Sequence, residues 1–208
     1  GMPEPWETAH GLNPNSPADA AADPDKDGLT NLAEYQNQTN PNDLDTDDDW
    51  LRDGAEVNLH LSNPNAIDTD KDGLLDFMEF WLGTSMLKPD TDNDGMDDKW
   101  ELDNGLNPLN PADAALDPDN DGLNNLGEFT YKTDPNYRDS DGDWVRDGSE
   151  VFVFGTDPTS SDTDGDGRSD SWELHEGTDP TLVWGYPDTD ADGIDDAWET
   201  ANNLDNDN

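Results

Sequence analysis

The amino-acid sequence predicts a tandem repeat array of irregular loops and short helices, with little or no β-sheet. Three observations predict this fold class. A twelve-residue pattern rich in aspartate occurs eight times in 208 residues, and successive copies begin 22 to 27 residues apart. Only 30% of the residues are apolar, which is too few for one large core. The chain also holds 18 Gly and 15 Pro, many of them in turn-like clusters after a copy of the pattern, so regular elements should be short.

The repeated pattern is Asp-x-Asp-x-Asp, usually followed by Gly and an apolar residue, with Asp or Asn at place 9 and Glu at place 12. This spacing is that of a calcium loop. Calcium takes roughly six to eight oxygen ligands at about 2.3–2.6 Å, supplied by places 1, 3, 5, 7, 9 and 12. Place 7 offers its backbone carbonyl, place 9 often binds through water, and the Glu at place 12 binds with both oxygens. We number the copies loops 1 to 8; they begin at Asp23, Asp45, Asp68, Asp90, Asp117, Asp139, Asp162 and Asp188.

The sequence therefore predicts about eight Ca²⁺ ions and a calcium-stabilised tandem repeat array. Of the 53 acidic residues, 38 occupy predicted ligand places, whereas a merely acidic surface would place acids at any exposed position. The predicted metal ligands of loops 1 to 4 are Asp23, Asp25, Asp27, Leu29, Asn31, Glu34, Asp45, Asp47, Asp49, Leu51, Asp53, Glu56, Asp68, Asp70, Asp72, Leu74, Asp76, Glu79, Asp90, Asp92, Asp94, Met96, Asp98 and Glu101. Those of loops 5 to 8 are Asp117, Asp119, Asp121, Leu123, Asn125, Glu128, Asp139, Asp141, Asp143, Val145, Asp147, Glu150, Asp162, Asp164, Asp166, Arg168, Asp170, Glu173, Asp188, Asp190, Asp192, Ile194, Asp196 and Glu199.

Charge and composition exclude several classes of protein. The formal net charge is -44, and eight calcium ions would bring it to about -28. Nucleic-acid binding is not expected, because phosphate contacts need clustered Lys and Arg and the chain holds only 9 of these residues. No apolar run approaches the roughly 20 residues of a membrane-spanning helix. The chain has no cysteine, so neither disulfides nor zinc thiolates can brace it, and calcium must take that role.

A longer period of 94 residues lies above the short one. The segment 6–14 reads much like 100–108, and the first three loops recur 94 residues later. Because a Trp-Glu pair closes loops 4 and 8, Trp6 and Glu7 should close a loop whose other ligands lie upstream, and the chain is expected to be a slice of a longer array. We expect a cloning remnant and linker at 1–5, a first long repeat at 6–99 whose fourth loop is completed at Glu101, a second at 100–197 completed at Glu199, and a truncated third at 198–208.

Short helices should follow the loops. Residues 32–35 and 77–82 have apolar residues at helical spacing, and turn signals such as Gly155 and Gly177 should end the helices in the left-handed conformation. The segment 150–154 fits a strand as well as a helix. The turn residues that precede Pro are expected to cap helices or to bridge ions between repeats; they are Asn40, Asp134, Asp157 and Asp179.

The apolar residues also have assigned places. Place 7 is apolar in every loop except loop 7, where it is Arg168, and place 11 is Trp100, Trp172 or Trp198 in three loops. These residues should form small local cores between successive loops. Place 6 is normally Gly but is Trp50 in loop 2 and Trp144 in loop 6. Either these Trp side chains pack on a neighbouring repeat, with the Gly moved to place 10, or the two loops are degenerate sites.

Tandem Asp-x-Asp-x-Asp-Gly loops with an apolar place 7 resemble the thrombospondin type 3 repeat, especially its bacterial versions. The resemblance covers roughly residues 6–203, and loops 7 and 8 are the closest copies. It implies an extended extracellular or cell-surface array, from a bacterium, whose loops wrap on Ca²⁺ and serve as spacer, stalk or adhesion segment. The chain lacks the Cys that animal repeats commonly carry at place 11. Its Glu at place 12, followed by a helix, is similar to EF-hand and dockerin-type loops.

The function that we expect is a calcium-binding structural spacer in a larger secreted or cell-surface protein. Its expected partners are calcium, the flanking domains of the same chain and a surface protein or glycan. An enzyme is not expected, because the three histidines are isolated and no Cys is present. The alternative is a calcium-dependent protein- or carbohydrate-binding module, for which Phe80, Trp81 and Leu82 form the best contact patch. A calcium sensor ranks third, because short helices stopped by Pro leave little to open.

Overall fold

The fold repeats one unit, a loop followed by a short helix. The computed structural model describes residues 1–183, so loop 8 lies outside the described residues. Within that range there are eight short α-helices and no β-strand, which confirms the predicted fold class. The helices are α1 (Glu4–Ala9), α2 (Asn31–Asn37), α3 (Asp53–Ala55), α4 (Asp76–Leu82), α5 (Asp98–Asp103), α6 (Asn125–Tyr131), α7 (Asp147–Ser149) and α8 (Asp170–Glu176).

Helices α3 and α7 do not stop where their α-helical hydrogen bonds end. Each continues into a π-helical turn, Glu56–His60 after α3 and Glu150–Phe154 after α7. The segment 150–154, which the sequence left open between strand and helix, is therefore helical. Short 3₁₀ turns, Asp19–Ala21 and Asp113–Ala115, lie in the two longer connectors. The chain divides into two compact regions, Gly1–Pro111 with loops 1 to 4 and Ala112–Asn208 with the later loops.

Every helix that follows a described loop begins at place 9. The N–H of the place-9 residue donates to the carbonyl of the residue just before place 1, as from Asp53 to Leu44 at 3.3 Å and from Asp98 to Pro89 at 2.8 Å. This bond closes the loop into a ring and starts the helix at the same point. Place 12 then lies one helical turn later, so its side chain returns to the same side of the helix as place 9.

The helices end as the turn signals predict. The residue after the helix is left-handed at Gly83, Gly155 and Gly177, with φ of 81°, 75° and 80°. Gly adopts this conformation without a steric penalty, and it lets a backbone N–H bond back to the last turn. Three helices end on a left-handed residue other than Gly, namely Gln38, Leu61 and Lys132.

The apolar cores are small and local. The place-7 side chains of loops 1 to 6 are all buried, which confirms their predicted role: Leu29, Leu51, Leu74, Met96, Leu123 and Val145. The prediction is wrong for Trp172 at place 11, which is 43% exposed and lies under the guanidinium of Arg168 at 4.8 Å from the ring centre. Trp198 lies outside the described residues.

Candidate metal centres

The carboxylates at places 1, 3 and 5 converge within each loop. In loops 1 to 3, one oxygen from each of the three side chains lies within 4.8 Å of the other two. Three negative charges at this separation repel one another strongly, so a cation between them would stabilise the loop. The three groups are Asp23, Asp25 and Asp27; Asp45, Asp47 and Asp49; and Asp68, Asp70 and Asp72.

Backbone N–H groups hold these carboxylates in place. In loop 7, both oxygens of Asp162 accept an N–H, from Gly165 and from Gly167, each at 2.8 Å. In loop 1, the place-5 residue Asp27 accepts the N–H of Leu29 at 2.7 Å. At place 3 one oxygen is buried without a hydrogen-bond partner, and this holds for Asp25, Asp47, Asp70, Asp119, Asp141 and Asp164.

The Glu at place 12 is almost completely buried in every described loop, as is the place-9 Asp in the loops that have one. Glu79 and Glu173 are fully buried, and neither oxygen of either side chain accepts a hydrogen bond. In other loops a hydroxyl from the following turn donates to one oxygen, as from Ser62 to Glu56 at 3.2 Å. The second oxygen of Glu56 remains buried without a partner. A buried carboxylate is costly unless it is paired or binds a metal, so these oxygens mark the point where a cation is needed.

Burial, with the neighbouring carboxylates as a second cause, raises the pKa of these acids. It raises the pKa of the place-12 Glu to about 8 in Glu56, Glu79, Glu128 and Glu150, and to about 7 in Glu34 and Glu173. Among the place-3 residues, the pKa of Asp47, Asp70, Asp119 and Asp141 rises to about 6 for the same reasons. A bound divalent cation reverses this effect, because it favours the ionised form of every carboxylate around it.

The place-9 side chain joins a second group of acids, which spans two consecutive loops. Asp53 of loop 2 lies with Asp27 and Glu34 of loop 1, all three buried and with ligand atoms within 4.8 Å of one another. Asp76 of loop 3 lies in the same way with Asp49 and Glu56 of loop 2. The sequence assigned place 9 to its own loop, whereas the structure groups it with places 5 and 12 of the loop before.

A hydroxyl at place 2, which the sequence analysis missed, orients the place-9 carboxylate. The N–H of Thr46 donates to one oxygen of Asp53 at 2.7 Å, and its hydroxyl donates to the other at 2.6 Å. The same hydroxyl accepts the N–H of the turn residue Asn40 at 3.0 Å. Equivalent pairs occur in four further loops: Thr69 with Asp76, Thr91 with Asp98, Ser140 with Asp147, and Thr163 with Asp170.

The sequence carries a signal for this pairing. Place 2 is Thr or Ser wherever place 9 is Asp, and it is Pro in the two loops whose place 9 is Asn. Proline has no N–H to donate to a carboxylate. The Asn amide is held differently: Asn31 donates to the carbonyl of Asp19, and Asn125 to that of Asp113, both at 2.8 Å. The amide oxygen of each Asn is buried without a partner, as a candidate ligand oxygen would be.

Place 5 links consecutive loops through the backbone. The second carboxylate oxygen of Asp27 accepts the N–H of Gly54, at place 10 of loop 2, at 2.8 Å. A Cβ at Gly54 would lie 2.4 Å from the carbonyl oxygen of Asp27. Gly148 makes the same contacts in loops 5 and 6: its N–H donates to Asp121 at 2.7 Å, and a Cβ there would lie 2.8 Å from the carbonyl oxygen of Asp121. A side chain at either Gly would therefore clash with the preceding loop, and the interpretation that Gly at place 10 compensates for Trp at place 6 stays a prediction.

Two other expectations are wrong. Trp50 and Trp144 do not pack on a neighbouring repeat, because they are 82% and 91% exposed. Among residues 1–183, the turn residues before Pro cap no helix, while their bridging of ions between repeats stays a prediction. Each accepts the N–H of the residue two positions later and so closes its own turn, as Asp157 does for Thr159 at 3.0 Å. The same contact is made by Asn40, Asp134 and Asp179.

The donor set fits calcium. Every candidate ligand side chain offers a hard carboxylate or amide oxygen, the chain has no thiol, and several of these oxygens are buried without a partner. The carbonyl of place 7 remains a predicted ligand, since the side chain of that residue lies in the core. The predicted ligands of loop 8, from Asp188 to Glu199, lie outside the described residues.

Comparison with protein families gives one match. A sequence model of the bacterial TSP3 repeat, the thrombospondin type 3 repeat of bacteria, matches five segments that together exceed half of the chain. The chain belongs to the bacterial TSP3 repeat family. No curated protein and no solved structure matched. The matched residues are 23–44, 90–111, 117–136, 139–161 and 162–182.

The family membership agrees with the geometry. TSP3 repeats are structural calcium-binding repeats, not a family of enzymes, and the chain carries the clustered acids that such repeats need. Loops 2 and 3 lie outside the matched segments, yet their place-1, place-3 and place-5 acids converge as those of loop 1 do. Over residues 1–183, no helix has the length and apolar character needed to cross a membrane.

Proposed function

We propose that this chain is a calcium-binding spacer or stalk segment of a larger secreted or cell-surface bacterial protein, made rigid by about eight Ca²⁺ ions. The observation that carries the proposal is the fully buried Glu at place 12, seen most clearly in Glu79. Its two oxygens have no hydrogen-bond partner, and the carboxylates of Asp70, Asp72 and Asp76 in its own loop and of Asp98 in the next loop act on it electrostatically. A group in that position would bind a cation with both oxygens.

The proposed ligands of each ion are those predicted from places 1, 3, 5, 7 and 12 of one loop. The place-9 carboxylate is proposed to serve the preceding loop, because Asp53 and Asp76 lie beside its places 5 and 12.

Sharing of residues between loops supports a rigid segment. At place 5, Asp27 and Asp143 accept an N–H from the helix of the next loop. At place 9, Asp53 and Asp76 lie beside the acids of the loop before. Calcium bound at one loop would therefore fix the position of the next loop. Since the apolar cores of residues 1–183 are small and local, the free energy of calcium binding would be the main source of order in the loops.

Calcium stoichiometry tests this proposal. Equilibrium dialysis of the whole chain against micromolar to millimolar calcium should show uptake of at least eight ions, with circular dichroism changing over the same range. Uptake of fewer than about four ions, or full order in chelator, would contradict it. Whether the segment lies outside the cell can be tested separately, by labelling the parent protein on intact bacteria with an impermeant reagent.

A further inference from the structure

An open groove lies beside loop 6 and helix α8, and of its lining residues only Val145 is a predicted calcium ligand, through its backbone carbonyl. The groove has a volume of about 520 Å³, and its lining includes Trp144, Arg146, Phe154 and His175. Ser149 and Ser171 add two hydroxyl groups, and the remaining lining residues are aliphatic. A concave site with aromatic faces and a few polar groups is the usual form of a small-ligand site.

Trp144 occupies a position that disfavours it. It lies at place 6 with φ of 83°, as Trp50 does in loop 2. The other five described loops have Gly at this place. A bulky residue at positive φ costs about 1–2 kcal/mol. Its side chain is 91% exposed, so packing does not offset this cost. A strained residue that adds nothing to the fold indicates a role at the surface.

The charge of the groove is opposite to that of the chain. The net charge of the protein is -44, yet Arg146 and His175 are the ionisable residues that line the groove. No carboxylate lines it among residues 1–183. An exposed indole offers an apolar face on which a sugar ring can stack, and a guanidinium binds a carboxylate with two parallel hydrogen bonds.

We propose that the groove at Trp144 binds an acidic polysaccharide, with a sugar ring on the indole and a uronic acid carboxylate on Arg146. Ser149 and Ser171 line the same groove; the Ser171 hydroxyl pairs with that of Ser169 at 3.1 Å and would have to share this bond with a sugar hydroxyl. Phe154 gives a second apolar wall. This site goes beyond the spacer function. It requires that loop 6 and helix α8 are both folded, because α8 supplies Ser171 and His175, and it would place a glycan contact within the array.

Loop 2 provides a matched comparison inside the same chain. Trp50 has the same φ of 83° and is also exposed, and Arg52 stands where Arg146 stands in loop 6. The positions of Ser171 and His175 are held here by Phe77 and Trp81, which pack in an aromatic cluster. Loop 2 therefore has the strained Trp without the serine and histidine of the groove, and it should not bind the same glycan with comparable affinity.

The test is isothermal titration of the whole chain with a hyaluronan hexasaccharide, which contains uronic acids, in millimolar calcium. A neutral chitin hexasaccharide is the control ligand. Trp144→Gly and Arg146→Gln should each weaken hyaluronan binding about tenfold or more, because each removes one main contact. Trp50→Gly should change it less than about twofold. Both Gly variants should keep the calcium stoichiometry, since Gly is the ordinary residue at place 6.

Three results would overturn the proposal: no binding of the hyaluronan hexasaccharide to the unmodified chain, equal losses from Trp144→Gly and Trp50→Gly, or equal binding of the neutral chitin hexasaccharide. Calcium uptake is measured in the same samples. Failure of the glycan site is therefore distinguished from failure of the calcium array.

Discussion

Replacing Glu79 by Gln should have opposite effects with and without calcium. Glu79 is fully buried, and neither of its oxygens has a hydrogen-bond partner. Gln keeps the shape of the side chain but removes its charge. With calcium present, the ion would lose one charged ligand while the surrounding Asp side chains remain buried. The loss should resemble that of breaking a buried ion pair, about 3–5 kcal/mol.

Without calcium the same substitution should be neutral or stabilising. Burial and the nearby carboxylates of Asp70 and Asp72 raise the pKa of Glu79 to about 8, so the ionised side chain opposes folding. Gln has no charge to bury. Urea denaturation of Glu79→Gln in about 5 mM calcium and in chelator measures both effects. This calcium concentration exceeds the dissociation constant of about 10⁻³ M that weak extracellular sites show.

The matched control is Glu176→Gln, which removes the same charge from an exposed position at the end of α8. It should change stability by less than about 0.5 kcal/mol in either condition. The reasoning is refuted if Glu79→Gln lowers stability equally in calcium and in chelator, or if its calcium stoichiometry matches that of the unmodified chain.

Three further predictions follow from the loop geometry. Thr69→Val should lower stability in calcium by about 1–3 kcal/mol, because it removes the hydroxyl that donates to buried Asp76. Thr130→Val removes an exposed hydroxyl and is the control. Equal effects of the two substitutions would contradict the role of place 2. Gly54→Ala should cost about 1–3 kcal/mol, because its Cβ would meet the carbonyl of Asp27 at 2.4 Å; unchanged thermal stability would show that the loops can separate. Calcium binding should release protons between about pH 6 and pH 8, because the place-12 Glu residues have pKa values of about 7 to 8. Titration in buffers of different ionisation enthalpy measures this release, and equal heats at pH 7 would contradict it.

The sign of the pH effect without calcium is also defined. The pKa of the place-12 Glu is raised in the folded chain above its ordinary value of 4.5. The stabilising contribution of the protonated form is therefore fully present below about pH 4.5 and is lost as the pH rises through about 8. In chelator, the chain should therefore lose order as the pH rises from about 4.5 to about 8. In calcium, order should instead increase over this range, because ionised carboxylates bind the ion.

The sequence was most informative where a contact is local. The twelve-residue period predicted the convergence of Asp23, Asp25 and Asp27, because loop residues close in sequence have few ways to be arranged around one point. The apolar residue at place 7 predicted the local cores for a similar reason. Leu29 and Leu123 directly follow the place-6 Gly of their loops, and their side chains are buried in the local cores.

Contacts between loops were not predictable from the period alone. The position of Asp53 beside Glu34 depends on the turn that joins loops 1 and 2, and no spacing within one loop encodes it. The correlation between Thr or Ser at place 2 and Asp at place 9 was present in the sequence. It could have been found by asking which N–H and hydroxyl groups would hold each carboxylate.

Exposure of the Trp residues was also missed, for a different reason. A large apolar residue is usually buried, so Trp50 and Trp144 were expected to pack on a neighbour. At place 6 the positive φ directs the side chain outwards, and the loop offers no surface to cover it. The local backbone conformation therefore outweighs the apolar character of the residue.

Small-angle scattering in millimolar calcium and again in chelator tests the central claim most directly. A compact globule of 208 residues should have a radius of gyration of roughly 17 Å. A calcium-stabilised spacer predicts a clearly larger, rod-like profile in calcium that becomes coil-like in chelator. A compact particle in calcium, or a profile that chelation leaves unchanged, would contradict it.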